Sequence, residues 1–104
     1  MYAMIRHYRV AAPIDELMHR VDTEFADRIP AAIGALLYQA IDTGDGTAMT
    51  VTLVADDQAA DRADAAAARV RASLADLKVE QMDVFRGEVM VSRAAERVLE
   101  PVHH

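Results

Sequence analysis

Few side chains in this sequence could do acid–base or binding chemistry, and two of the best placed are neighbours. His7 and Tyr8 lie in the stretch YAMIRHYRV, from Tyr2 to Val10. An imidazole is the natural acid or base near neutral pH, and it could take a proton from an acidic phenol or enol. The stretch reads as a strand, so Arg6 and Tyr8 point to one face while His7 and Arg9 point to the other. Only one pair can meet a cavity, which makes His7 and Tyr8 competing catalytic candidates. Tyr38 could set a phenol in a pocket wall and Phe25 an aromatic ring, against the plainer reading that both pack in the core. Tyr8, Phe25 and Tyr38 are accordingly the candidate substrate-binding residues.

The stretch IDTGDGTAMT, from Ile41 to Thr50, raises a different chemistry, because glycines beside threonines could cradle a phosphate. A phosphate loop needs a long glycine-rich turn leading into a helix, with a Lys to reach the phosphates. Here no Lys is present, and the residues after Gly46 alternate as a strand does. Asp42–Gly46 therefore reads as a hairpin loop, with Gly supplying positive φ. The carboxylates of Asp42, Asp45, Asp56 and Asp57 read as turn and cap chemistry in preference to a cation site.

Composition removes several function classes. The 104 residues include no Cys, which excludes disulfides, thiolate nucleophiles and Cys-type zinc sites. No pair of His has ligand spacing within one element, and no dinucleotide fingerprint follows a strand, so no cofactor or metal is expected. The net charge of −6, with one Lys in the chain, argues against nucleic acid, whose phosphates call for clustered cations. No apolar run approaches the ~20 residues that cross a bilayer, and no signal-peptide core opens the chain, so no membrane role and a cytoplasmic location are expected.

The elements that must position these residues follow from period and punctuation. Tyr2–Val10 is the first strand. Pro13 opens a helix whose stripe is Leu17, Met18, Val21, Phe25 and Ile29, ending or kinking near Arg28 because of Pro30. Ala35–Ile41 and Thr47–Ala55 are the second and third strands. Asp56 and Asp57 begin a long helix to about Leu77, with a stripe rich in Ala. Val84–Ser92 is the last strand, with Gly87 marking a bulge or close approach. The order β-α-β-β-α-β predicts an α+β, ferredoxin-like domain over 1–95, with a four-stranded antiparallel sheet and two helices on one face. Residues 96–104 form a C-terminal tail.

A sheet covered on one side should alternate apolar and polar residues, yet here both faces carry apolar or small side chains. One chain of this length has nothing left for the second face, so a homodimer is expected. The segments MYAMIRHYRV, IGALLYQAIDTGDGT, ADDQAA and GEVMV together resemble the dimeric α+β barrel superfamily, in particular its antibiotic-biosynthesis-monooxygenase-like branch, over residues 2–95. The resemblance implies two sheets packed face to face into a dimeric α/β barrel. It also implies, in each subunit, a cavity between sheet and helices for a small apolar or aromatic molecule. Cofactor-free oxygenases of that branch use Asn, Trp and His around substrate. This chain contains no Asn and no Trp, and Arg69 and Ser73 fall where Trp and Asn occur in similar sequences. Two function classes stay open: a cofactor-independent, monooxygenase-like enzyme, and a noncatalytic dimer that binds a ligand or supports another protein.

Overall fold

The computed structural model describes all residues from Met1 to His104. Tyr2–Val10 forms β1, and its even-numbered side chains Met4, Arg6, Tyr8 and Val10 are buried. The chain then enters α1 (Ile14–Arg20), a π-helical turn (Val21–Phe25) and α2 (Arg28–Ile33). The helical segment is interrupted at Ala26–Asp27, next to the expected end or kink near Arg28, and the reason lies in the spacing of its apolar residues. Leu17, Val21, Phe25, Ile29 and Ile33 recur at intervals of four. In a straight α-helix each such step drifts by about 40°, so the stripe would wind off the sheet. A wide turn, closed by the Ala26 amide donating to the Val21 carbonyl at 2.8 Å, takes up the drift. Val21, Phe25 and Ile33 are all buried as a result. Pro30 does not end the helix; it is the third residue of α2, in the first turn, where its missing donor would have had no partner. Gly34, at φ 71°, closes α2 in the left-handed conformation and turns the chain into the sheet.

β2 (Ala35–Gly44) and β3 (Thr47–Val54) are joined by two residues, Asp45 and Gly46, with φ of 54° and 72°. Two positive φ values in a two-residue connection are the type I′ pattern, whose twist matches that of the strands it joins. The glycines turn the chain. The Val10 amide donates to the Gly46 carbonyl at 2.8 Å and ties the turn to the end of β1. α3 (Asp57–Ser73) is capped by the Asp56 carboxylate, which accepts from the Ala59 amide at 2.8 Å. It ends four residues short of Leu77, and a 3-10 turn (Ala75–Leu77) carries the chain on.

β4 spans Val79–Glu88, which corrects the expectation of Val84–Ser92. β1 pairs with it from Val10 opposite Val79 to Tyr2 opposite Glu88, and the Val89 amide donates to the Met1 carbonyl. Met90 and Val91 are consequently free of the sheet and about 80% exposed. The irregularity in this ladder falls between His7 and Tyr8, where Met82 is the extra residue; Gly87 pairs regularly with Ala3, with open space around it. The tail holds only a 3-10 turn at Glu96–Leu99, and its last two residues fold back onto α1 and the π turn, at Asp15 and Asp22.

The strands are antiparallel in the order β2-β3-β1-β4, and the three helices cover one face. This α+β arrangement is compatible with a ferredoxin-like fold. Two packed regions fill the space between the layers. One gathers Leu17, Val21 and Phe25 against Val10 and Ala48. The other sets the alanines of α3 against Met4 and Val54. The opposite face carries Ile5, with Val51 and Phe85 across from it on the neighbouring strands, and no helix covers it. No helix is long and apolar enough to cross a membrane.

Candidate functional site, a cavity between sheet and helices

The helix-facing side of the sheet is apolar at its ends and polar in the middle, and the register shows how. Arg6 on β1 lies opposite Thr50 on β3, Tyr8 opposite Ala48, and Tyr38 on β2 opposite Thr52. These side chains form the floor of a cavity of about 70 Å³. Phe25, Met18 and Val21 of the first helical segment and Ala63, Ala67 and Val70 of α3 make its walls. Small residues on α3 leave the space open: an alanine wall close to the sheet gives up volume that leucines would fill. Arg71 comes down from the last turns of α3 as the second cation of the lining.

Three of the four singled-out residues, Tyr8, Phe25 and Tyr38, meet at this cavity. His7 does not. It projects from the opposite face of the sheet, where its Nδ1 lies 3.8 Å from a carboxylate oxygen of Asp83 on the edge strand. Arg69 and Ser73 are exposed on α3 and also take no part; the Ser73 hydroxyl simply donates to the Arg69 carbonyl at 3.2 Å. Arg6 shares the strand face of Tyr8, as alternation requires. Arg71, Thr50 and Thr52 were not anticipated as site residues. For Arg71 a signal was present, because it continues the spacing Ala63, Ala67, Arg71 along one helix face.

The electrostatics of the lining are uneven. Arg6 is only 4% exposed, and its guanidinium donates to the Asp64 carboxylate of α3. Asp64 also accepts from Arg86 of β4 at 3.0 Å, and Arg86 further engages Asp57 and Asp61. Hydrogen bonds to Asp61 and Asp57 hold Arg86 firmly protonated, above the usual range. The Arg71 side chain, in contrast, makes neither an ion pair nor a hydrogen bond to a protein group.

Both cavity phenols are held protonated. Burial pushes Tyr38 up to about 12, and the neighbouring Tyr8 adds to the effect. Burial raises Tyr8 as well, offset in part by the charge of Arg6, the hydroxyl of Thr50 and the charge of Arg71. At neutral pH both are therefore hydrogen-bond donors. The lining combines donors, cations and apolar walls, and it presents no group that accepts a proton near neutrality.

A wider hollow of about 660 Å³ runs between the C-terminal residues and the outer edge of β2. The His103 and His104 side chains reach Asp22 and Asp15 there, at 3.1 and 2.8 Å. No group of three or more His, Asp or Glu is arranged to hold a metal ion. Compared with protein-family models, curated proteins and solved structures, the chain matches none of them.

Proposed function

We propose that the protein is a small-molecule-binding homodimer of ferredoxin-like subunits, with one ligand site per subunit between sheet and helices. The observation that carries this reading is the cavity itself: fifteen of its nineteen lining residues are hydrophobic, and its polar groups converge on the floor and one end of the roof. An apolar enclosure with a few convergent polar groups is the general form of a ligand site. The dimer is supported by the uncovered sheet face. Phe85 is 61% exposed there beside Ile5, and burying such a face stabilises by roughly 25 cal/mol for each Å² removed from water. A two-fold copy would cover it with its own equal, giving the α/β barrel that the sequence resemblance implies.

The absence of a neutral-range base in the cavity supports the noncatalytic class over a cofactor-free oxygenase. An oxygenase at this site would have to receive its substrate already ionised, since Tyr8 and Tyr38 donate protons and His7 stands outside. Sedimentation at low micromolar concentration should give about twice the 11.4 kDa of one chain. The melting point should rise with protein concentration, as it does when folding and association are coupled. A monodisperse folded monomer would end the dimer reading. The ligand site is tested separately by Ala67→Leu, which lengthens a wall residue while keeping a good helix former. That variant should stay folded and lose whatever small molecules the wild type takes up in a fragment screen; unchanged uptake would place binding elsewhere.

A further inference from the structure

The charges around the cavity do not balance. Arg6 is matched by Asp64, and Arg86 by Asp57, Asp61 and the same Asp64. Arg71 has no carboxylate, although it is half-buried and lines the cavity alongside Tyr8, Tyr38 and Thr50. Its guanidinium has no anionic partner, and the phenols and the Thr50 hydroxyl beside it are neutral. The polar groups at this end of the cavity are a cation and neutral hydroxyls, and Asp64, the carboxylate paired with Arg6, is already shared between two arginines. The arrangement lacks an anion for Arg71.

We propose that the cavity takes a short-chain organic carboxylate, its charged end held by Arg71 and the tyrosine hydroxyls and its alkyl end against Phe25, Met18 and Val21. A carboxylate matches the planar fork of a guanidinium, which favours it over a spherical anion. The apolar walls favour an organic anion over an inorganic one, whose whole surface prefers water. Size sets the upper limit. The space of about 70 Å³ is less than half of the ~150 Å³ at which an apolar cavity admits benzene. An aromatic acid or butyrate, each with at least as many non-hydrogen atoms as benzene, would need the walls to move; an acid of two or three carbons, with its carboxylate at Arg71 and only its alkyl end enclosed, would not.

This proposal rests on the reading of the cavity as a ligand site, and the experiment separates the two. The full-length protein is titrated at pH 7 with propionate, with its neutral isostere propionamide, and with sodium nitrate, while backbone amide resonances are followed. Propionate should shift resonances of β1, β3 and α3, with propionamide and nitrate each at least tenfold weaker. In Arg71→Gln the propionate affinity should fall at least tenfold, and in Ala67→Leu binding should vanish. If propionamide matches propionate, the carboxylate proposal fails while the ligand site stands. If nitrate matches propionate, the site is one for inorganic anions and the proposal also fails. If none of the three shifts cavity resonances, the carboxylate proposal fails, and the cavity reading is decided by the fragment screen with Ala67→Leu. Should Arg71→Gln not fold, the comparison of the three probes on wild type still decides.

Discussion

Replacing Asp64 by Asn should cost more stability than replacing its neighbour Asp61, and the structure says by how much. Arg6 sits under the helices at 4% exposure, and Asp64 is its one carboxylate partner. Leaving a fully buried charge without its partner costs roughly 3–5 kcal/mol. Here the Asp64 side chain is 43% exposed, so water reaches the pair and screens part of that cost. A loss of about 2 kcal/mol is the reasoned value for Asp64→Asn, between the buried and exposed limits. Asp61 meets only Arg86 and its side chain is 73% exposed, so Asp61→Asn should cost no more than about 1 kcal/mol. At an m-value of about 2 kcal/mol/M the Asp64 variant loses roughly 1 M of urea midpoint, measured at one fixed protein concentration. Arg6→Met in the Asp64→Asn background should recover most of the loss, because the unpaired charge is gone. Equal midpoints for the two Asn variants, or no recovery in the double variant, would refute the view of Arg6 as a buried cation dependent on Asp64.

Raising the pH should loosen the fold through the cavity phenols. Tyr38, with its pKa pushed to about 12 against 10.0 for an ordinary tyrosine, is stabilising while protonated. Its contribution is complete below pH 10 and is lost as pH rises toward 12, as a spectrophotometric titration run beside thermal melts would show. Asp56→Ala should cost about 1 kcal/mol by uncapping α3, read from urea melts. Gly34→Ala should cost about 1–2 kcal/mol, because the residue holds φ at 71° with open space around its Cα, so that backbone strain alone is measured.

How much of this was legible beforehand depended on what fixed each feature. β1, the hairpin and the Asp56 cap are local, and alternation, a Gly-containing turn and a cap residue identify them. The extent of β4 is not local. Val84–Ser92 reads more like a strand than Val79–Asp83, yet the ladder with β1 runs from Val79 to Glu88, and the polar residues Glu80, Gln81 and Asp83 are tolerated on an edge. The division of the first helix was written in the four-residue spacing, which a period of 3.6 does not sustain. At the site, strand parity placed Arg6 with Tyr8 and apart from His7. Which of those faces meets the helices required the whole packing, and the partnership of Arg6 with Asp64, 58 residues away, left no local mark.

The π turn at Val21–Phe25 also makes chain length a geometric variable in this part of the protein. It holds one residue more than an ordinary helical turn would, and removing any one of them would let the backbone relax into continuous α-helix at little local cost. The phase downstream would hold. Eight residues separate Val21 from Ile29 across the π turn; with seven, a regular α-helix turns through about 700° and returns Ile29 to within about 20° of the same face. A one-residue loss outside the π turn, within α2, has no such slack and would rotate the later side chains by about 100°. Relatives one residue shorter between Arg20 and Asp27 should therefore carry an unbroken helix there and keep the residues equivalent to Ile29 and Ile33 on the sheet.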